Sequence, residues 1–376
     1  PSANAANALR ARIALFNSEF NIAEQASLAV ITNGTHSLDP DFESMLTDAA
    51  SLSLSDEIIM DLSYLFGTRT HQLNVLQGII ISGGYTDIVP TQQLVDTYET
   101  VNGLPIDEDP AYDPANPYAN RDPRLKATLA VPQEPWLDLI FETHSDSAQT
   151  TRVSTGERVN NPSQTLENPT VTRTGYVWKK FVEQQKMIDN EQTAESEFPM
   201  PLLRYAEVLL TYAEAKIENG TIDQTTLDAI NDVRSRAYGT VRTDVGNYPA
   251  ITSLDAGELR KVIKRERAAE LANEGLRLID LKRWGIVEKM MTQRVMGSPA
   301  NGWSEIGGNL GFVPSIDDDG FIDYSGAPMQ PWSGTGNLEY RIVHERNSDP
   351  NKYLFWPIPQ REIDAGGGVV TQNPGY

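Results

Sequence analysis

The chain has no cysteine, only four histidines, and no apolar run approaching the length of a membrane helix. The first absence excludes disulfides, thiol chemistry and thiolate metal sites, and it leaves the redox compartment open. It also means that no lipidated cysteine within these 376 residues anchors the chain. The longest apolar stretches, such as "VLQGIII" at 75–81, fall far short of the roughly 20 residues needed to span a bilayer. Basic residues are scarce beside acidic ones, 31 against 52, for a formal charge of −21. A surface of that sign repels phosphate backbones and anionic lipid, which argues against nucleic-acid binding and charge-driven membrane docking. What is present is enough chain for one large domain or two. With 39% hydrophobic residues and dispersed charge, it reads as a folded protein and not as an acidic tail.

Residues 1–36 read as a helix pair. Ala6, Leu9, Ile13 and Phe16 share one face of a first helix, Ile22, Ala26 and Val30 one face of a second, and Asn33 with Gly34 marks the closing turn. An Ala-rich pair starting at residue 5 needs a neighbour to pack on, so further sequence is expected to precede it. Residues 37–200 are mixed and loop-rich. There "DEIIMDLSYL" at 56–65 has the composition of a buried strand and "PTQQLVDTYETVNG" at 90–103 that of a short helix stopped by Gly103. Residues 103–135 are dense in Pro, Asp, Asn and Tyr, the composition of ordered loop.

Helical periodicity is strongest over 201–285. Leu202, Tyr205, Ala206, Leu209, Tyr212 and Ala213 fall on one face and Gly220 ends that helix; Leu227, Ile230, Val233 and Ala237 repeat the device up to Gly239. "ELRKVIKRERAAELANEG" and "LRLIDLKRWG" predict a third and a fourth helix, ended by Gly275 and Gly285. Paired helices with small Ala packed against Tyr and Leu suggest tetratricopeptide-like repeats. Residues 286–354 are a loop excursion, with nine glycines and four prolines between 297 and 336 and aromatics interspersed, and 355–376 form a C-terminal tail expected to pack on the scaffold. All five segments are read as one domain.

"PLLRYAEVLLTYAEAKIENG" (201–220), "LDAINDVRSRAYG" (227–239), "IKRERAAELANEGLRLIDLKRWG" (263–285) and "FWPIPQREIDAGGGVVTQNPGY" (355–376) follow in this order. Together they resemble the SusD/RagB family of Bacteroidetes outer-membrane nutrient-binding lipoproteins, and "PTQQLVDTYETVNGLPI" and "NPYANRDPRLKATL" look like that family's connecting region. The resemblance implies a mainly α fold, a tetratricopeptide-like helix-pair scaffold with long ordered loops and a few short strands. It implies a place on the outer leaflet of the outer membrane facing the extracellular side, held only by an N-terminal lipid anchor not present in this chain. It implies a SusC-like TonB-dependent transporter as partner, which the binding protein lids. The ligands of the family are typically oligosaccharides, and in the RagB branch peptides. The family's signal peptide, anchoring cysteine and first scaffold helices are absent here, so part of the ligand-binding arc is expected to lie outside these residues.

Nothing points to catalysis or to a cofactor. There is no G-x-S-x-G elbow, phosphate loop or dinucleotide fingerprint, and His344-Glu345 lacks the second histidine of a zinc helix. His36, His71, His144 and His344 are scattered in polar settings, and solvent exposure is expected for each. "DDDG" at 317–320 fails as a calcium loop because its twelfth position from Asp317 is Pro328; a solvated acidic turn is expected, and no metal site. Arg260, Lys261, Lys264, Arg265 and Arg267 alternate with Glu266 and Glu270 at helical spacing, which predicts a helix laced by its own ion pairs.

Sugar binding needs flat apolar faces flanked by hydrogen-bonding groups. Two stretches offer them: Tyr85, Tyr112 and Trp136 in the first, Trp303, Tyr324 and Trp332 in the second. Tyr118 and Arg121 belong to a segment that suggests loop architecture, Trp284 and Trp356 are expected to be packing residues, and Trp178 sits in a strand-like run. The expectation is a non-enzymatic binder of oligosaccharide, neutral in preference to polyanionic because of the global charge; a peptide-capturing protein of the RagB kind and a tetratricopeptide scaffold that holds partner proteins are the alternatives.

Overall fold

Two alanine-faced helices open the chain, α1 (Ala3–Phe16), capped by the Ser2 hydroxyl, and α2 (Phe20–Asn33), ended by Gly34 at φ 69°. The structure is a computed structural model and describes residues 2–79, 83–144, 147–161, 163, 171–189, 194–299, 311–333, 339–346, 352 and 355–376. The α1 face expected to be buried is turned outward: Leu9 is 41% and Ile13 51% exposed, while Ala8, Ala11 and Ala14 are buried. Small residues explain the reversal. Ala14, Ala23 and Ala215 meet with Leu15 in one cluster, and bulkier side chains there would hold the backbones apart and forfeit the contact.

Next come α3 (Phe42–Thr47) and α4 (Ala49–Leu54), each capped by an aspartate side chain, Asp41 and Asp48, and then β1 (Ile58–Leu62). β1 is half-buried along its whole length and not fully buried as its composition predicts. The region beyond carries short elements: α5 (Leu73–Gln77), α6 (Gln92–Thr97), α7 (Arg124–Thr128), β2 (Leu129–Ala130), β3 (Pro135–Trp136), β4 (Leu139–Ile140), β5 (Gln149–Thr151), β6 (Arg158–Asn160), β7 (Val177–Trp178) and α8 (Gln184–Asp189). α6 stands where its sequence predicts a short helix, whereas α7 and β2 interrupt the stretch expected to be loop. β2 pairs with β7, β3 with β4 and β5 with β6, all antiparallel.

β8 (Met200–Arg204) then returns to pair antiparallel with β1. Leu202, expected on a helix face, therefore lies in a strand and is 41% exposed; the helix α9 begins at Tyr205 and runs to Asn219. α10 (Gln224–Ala237) starts on an Asp223 capping box with Thr226, and α11 (Ala256–Glu270), α12 (Arg277–Arg283) and α13 (Val287–Met291) follow. Leu209, Leu210, Ile230, Val233, Leu259 and Ile263 form the main apolar core between α9, α10 and α11. β9 (Val295–Pro299), β10 (Ser315–Ile316), β11 (Ile322–Asp323), β12 (Met329–Pro331) and β13 (Tyr340–His344) come next, with β13 between parallel β12 and antiparallel β9. In the tail, α14 (Gln360–Ala365) has no buried residue and Trp356 is 71% exposed, so this tryptophan is open to solvent and not the packing residue its motif predicts. Trp284 does pack, half-buried beside Leu281 and Val287, with Nε1 donating to Glu214 at 2.7 Å.

The scaffold is joined to the loop-rich region by a buried ionic network. Glu270 accepts from Arg236 (2.6 Å), Arg204 (3.0 Å) and Arg124 (3.1 Å). Arg124 also reaches Glu266 (2.6 Å) and Asp122 (2.6 Å), and Arg236 reaches Glu57 (2.9 Å). Arg204 bonds Glu57 and Glu274, and Arg234 bridges Glu266 and Glu99. The arginines come from α7, β8 and α10, and the carboxylates from α11 and from the segments beside α6, α7, α11 and β1. The expected lacing along α11 is thus corrected: Glu266 and Glu270 are buried and bond across elements, while Lys261 with Glu258 is a pair within the helix. The physical reason is the helix face on which they lie, the same one that carries Leu259, Val262 and Ile263 into the core.

Candidate functional site

The aromatic residues singled out for ligand contact have different fates. Trp136 is 1% exposed, in a cluster with Ile79, Phe141 and Met187, because the tight β3–β4 turn at Leu137 and Asp138 (φ 49° and 62°) folds its ring inward. Tyr324 is also buried, 7% exposed, and its hydroxyl donates to Asp96 at 2.6 Å. Both are closed to ligand as this chain folds. Trp303 lies outside the described residues. Tyr112 is half-buried under the Arg121 guanidinium, 5.5 Å from its ring centre. Tyr85, beyond α5, is 53% exposed, and Trp332 at the end of β12 is half-exposed with the Arg173 guanidinium 4.9 Å from its ring centre. Among the described candidates Tyr85 is the exposed aromatic face, while Trp332 and Tyr112 are each partly exposed beneath a guanidinium.

Tyr112 and Tyr324 do belong to one assembly, centred on Asp96 of α6. Asp96 accepts from Tyr324 and from Gln92 Nε2 (2.9 Å); Gln92 Oε1 accepts from the Tyr176 hydroxyl (2.5 Å), which lies 3.1 Å from that of Tyr118. Tyr112, Tyr118, Tyr176, Phe312 and Tyr340 line a small crevice beside it. Burial pushes the Asp96 carboxyl up to about 6, against the lowering effect of Tyr324, Arg121 and Gln92. A carboxyl that binds its proton more tightly when folded gives stability that is present at low pH. That stability is lost as pH rises from near 4, the unfolded value, through 6. The shift from 3.8 to about 6 corresponds to about 3 kcal/mol. Asp96→Asn is expected to remove this decline, so that urea unfolding at pH 4 and pH 7 gives closer midpoints in the variant than in the parent. Unchanged pH dependence in the variant would refute the assignment.

An apolar cleft, a cavity of about 450 Å³, lies between α6, the end of α11, α12 and α13. Leu94, Leu271, Leu276 and Met290 supply apolar wall, and Trp178, Arg267 and Arg277 supply N–H groups. Arg267 is fixed by Asp280 through two bonds of 2.9 and 3.0 Å. Neither Arg267 nor Arg277 carries a local sequence signal of a binding site. Their helical motif looks like scaffold, and net charge counting pairs every arginine on average.

Other expectations are settled by position. His344 is exposed and His36 and His71 are half-buried, but His144 is fully buried, its Nδ1 against Glu142, whose Oε1 also accepts from the backbone of Thr143 and His144. Its surroundings are the buried Thr143 and Phe141, which the polar look of its neighbours conceals. Asp317, Asp318 and Asp319 are tied down by lysines: Lys289 reaches Asp317 (2.6 Å) and Asp319 (2.8 Å), Lys264 Asp319 (2.7 Å) and Lys261 Asp318 (3.0 Å). Among the described residues no group of three or more His, Asp or Glu side chains could hold a metal, and no helix is long and apolar enough to cross a membrane.

Comparison with known proteins adds a lineage to this geometry. The family model for SusD matches residues 63–376. Among solved structures, a SusD-like carbohydrate-binding protein from Bacteroides fragilis superposes with a TM-score of 0.75 at 24% identity, covering 96% of this chain and 63% of that one. A second SusD-like protein from Bacteroides fragilis gives 0.68 at 22% identity, covering 99% and 65%. Surface glycan-binding protein A from Bacteroides fluxus gives 0.57 at 20% identity, covering 99% and 62%. The chain thus spans under two thirds of the length of these structures, and at these identities the likeness is one of fold. No curated protein matches by sequence.

Proposed function

The chain belongs to the SusD family, and from that premise we propose that it captures a glycan at the bacterial surface and hands it on unchanged. The receiving partner is a SusC-like TonB-dependent transporter, with the binding protein on the outer leaflet of the outer membrane and anchored through lipid. The ligand class is an oligosaccharide, neutral in preference to polyanionic. Capture without catalysis accords with the absence of a recognisable nucleophile, base or metal-binding motif in the sequence.

The observation that carries this reading is the exposed ring of Tyr85 together with the partly exposed ring of Trp332, each on a loop outside the helical scaffold. Aromatic faces stack on the C–H-rich faces of sugar rings, and a guanidinium such as that of Arg173 can hydrogen-bond ring hydroxyls beside them. Tyr112, half-buried, is proposed as a further ligand contact. Isothermal titration against neutral and anionic oligosaccharides tests the reading. Neutral ligands are expected to bind, and Tyr85→Ala and Trp332→Ala each to weaken binding by about tenfold. Tight binding confined to anionic glycans or to peptides would overturn it, as would cleavage products from a labelled oligosaccharide.

A further inference from the structure

The cavity between α6, α11, α12 and α13 presents donors without acceptors. Trp178 is 7% exposed and its Nε1 is buried with no hydrogen-bond partner. Arg267 is 2% exposed, and although Asp280 takes its Nε and Nη2, its Nη1 has none. Arg277 stands apart from the other two because among the described residues its side chain makes neither an ion pair nor a hydrogen bond; its Nη1 is buried, and its guanidinium lies 5.8 Å from the ring centre of Trp284. All three residues line the same cavity.

Buried donors are ordinarily satisfied, and leaving several unsatisfied around one space is costly unless something occupies that space. The charges facing it are one-sided. Asp280 is the carboxylate on the wall, and both its oxygens are already engaged by Arg267 and Arg283. Burial lowers the affinity of Arg277 for its proton, and the neighbouring Arg267 adds to this against the raising effect of Asp280. A chain with 52 acidic residues and 31 basic ones has no shortage of carboxylates, yet none of the described ones forms an ion pair with this guanidinium. The remainder of the wall is apolar, with Leu94, Leu271 and Met290.

We propose that this cavity is a binding site for a small organic monocarboxylate, whose carboxylate is taken by Arg277 and Arg267 and whose apolar or ring-shaped body lies against Trp178 and the leucines. One guanidinium without an ion pair among the described residues matches one charge, and its planar fork suits a carboxylate in two parallel bonds. The volume, about 450 Å³, is that of a small-ligand pocket. The site is separate from the aromatic faces of that reading and does not rest on it, since neither Tyr85 nor Trp332 of the proposed glycan contacts lines it. It also differs from capture of a polyanion, which the global charge opposes.

Phenylacetate, its uncharged isostere phenylacetamide, and inorganic sulfate serve as probes in titration calorimetry of the intact chain. The expected result is saturable one-to-one binding of phenylacetate, with the amide and sulfate each weaker by about tenfold or more. Arg277→Gln is expected to weaken phenylacetate by about tenfold or more, and Arg277→Lys to retain part of the affinity, since a lone ammonium keeps charge but not the fork. A second readout separates binding from packing. Removing an unpaired buried charge leaves Tm unchanged or raises it, whereas loss of a structural arginine lowers it. Phenylacetamide binding as tightly as phenylacetate, sulfate binding with the same Arg277 dependence, no saturable phenylacetate binding, or a lowered Tm with unaltered affinity in Arg277→Gln would each overturn the proposal.

Discussion

Glu270→Gln is expected to destabilise the protein by about 3–5 kcal/mol, the range for breaking a buried ion pair from one side. The glutamate accepts from Arg124, Arg204 and Arg236, and all four groups are nearly or fully buried. Glutamine keeps the shape and one acceptor oxygen, so the loss isolates charge from packing. Three guanidiniums would then face a neutral amide, and Glu57, Glu266 and Glu274 remain as their partial compensation. The measurement is urea unfolding, with a fall in midpoint at unchanged slope; a loss below about 1 kcal/mol would show that the network contributes little.

The same group carries an acid signature. Burial opposes ionisation of Glu270, but the charges of Arg236, Arg204, Arg124 and Lys180 outweigh it and hold the carboxyl well below its ordinary value. Glu274 and Asp122 are lowered in the same way, against their burial, by Arg204 with Lys180 and by Arg124. Groups with depressed values contribute stability that is complete above their unfolded values, near 4, and is lost as pH falls below them. Asp96 runs in the opposite direction, losing stability as pH rises towards 6. The parent protein is therefore expected to be most stable at mildly acidic pH, and Glu270→Gln to flatten the acid limb while Asp96→Asn flattens the other.

Phe42→Ala is the second large effect, expected at about 3–5 kcal/mol for a buried phenylalanine truncated in a core. The ring is 6% exposed, clustered with Met45, Leu46, Phe181 and Phe198. It is also the floor of the ionic network: the Arg236 guanidinium lies 4.9 Å, the Lys180 ammonium 5.3 Å and the Arg204 guanidinium 6.0 Å from its centre. Phe42→Leu separates the two contributions. It keeps most of the apolar volume and deletes the ring quadrupole, so about 1–2 kcal/mol should remain lost if desolvated cation–π contacts matter. Leucine with the stability of the parent would reduce Phe42 to a space-filler. A double variant with Glu270→Gln is expected to be non-additive, because both substitutions act on Arg204 and Arg236.

The helices from Tyr205 to Arg283 were legible because one face of each repeats apolar residues at helical spacing and glycines mark several of the stops. Where size mattered more than hydropathy, periodicity misled: on α1 it chose Leu9 and Ile13, whereas close helix approach favours Ala8, Ala11 and Ala14. Leu202 fits the periodicity of the helix that follows it, and only the distant β1 makes it part of a strand. The site was less legible. An aromatic ring on a loop reads the same whether the turn aims it outward, as at Tyr85, or inward, as at Trp136. The cavity arginines were invisible for a related reason: which guanidinium lacks a partner depends on contacts between α6, α11 and α12, not on any local pattern.

The β1–β8 pair carries a consequence for synthesis. Glu57, at the threshold of β1, and its partner Arg204 are 147 residues apart. At about 5–20 residues per second, β1 and its glutamate wait roughly 7–30 s on the nascent chain before their complement exists. Until then a mainly apolar strand has an open edge and its neighbouring carboxylate has no arginine from β8 or α10. Aggregation during translation is accordingly expected to begin with residues 58–62, and a chaperone that shields extended apolar segments would find its first sustained target there.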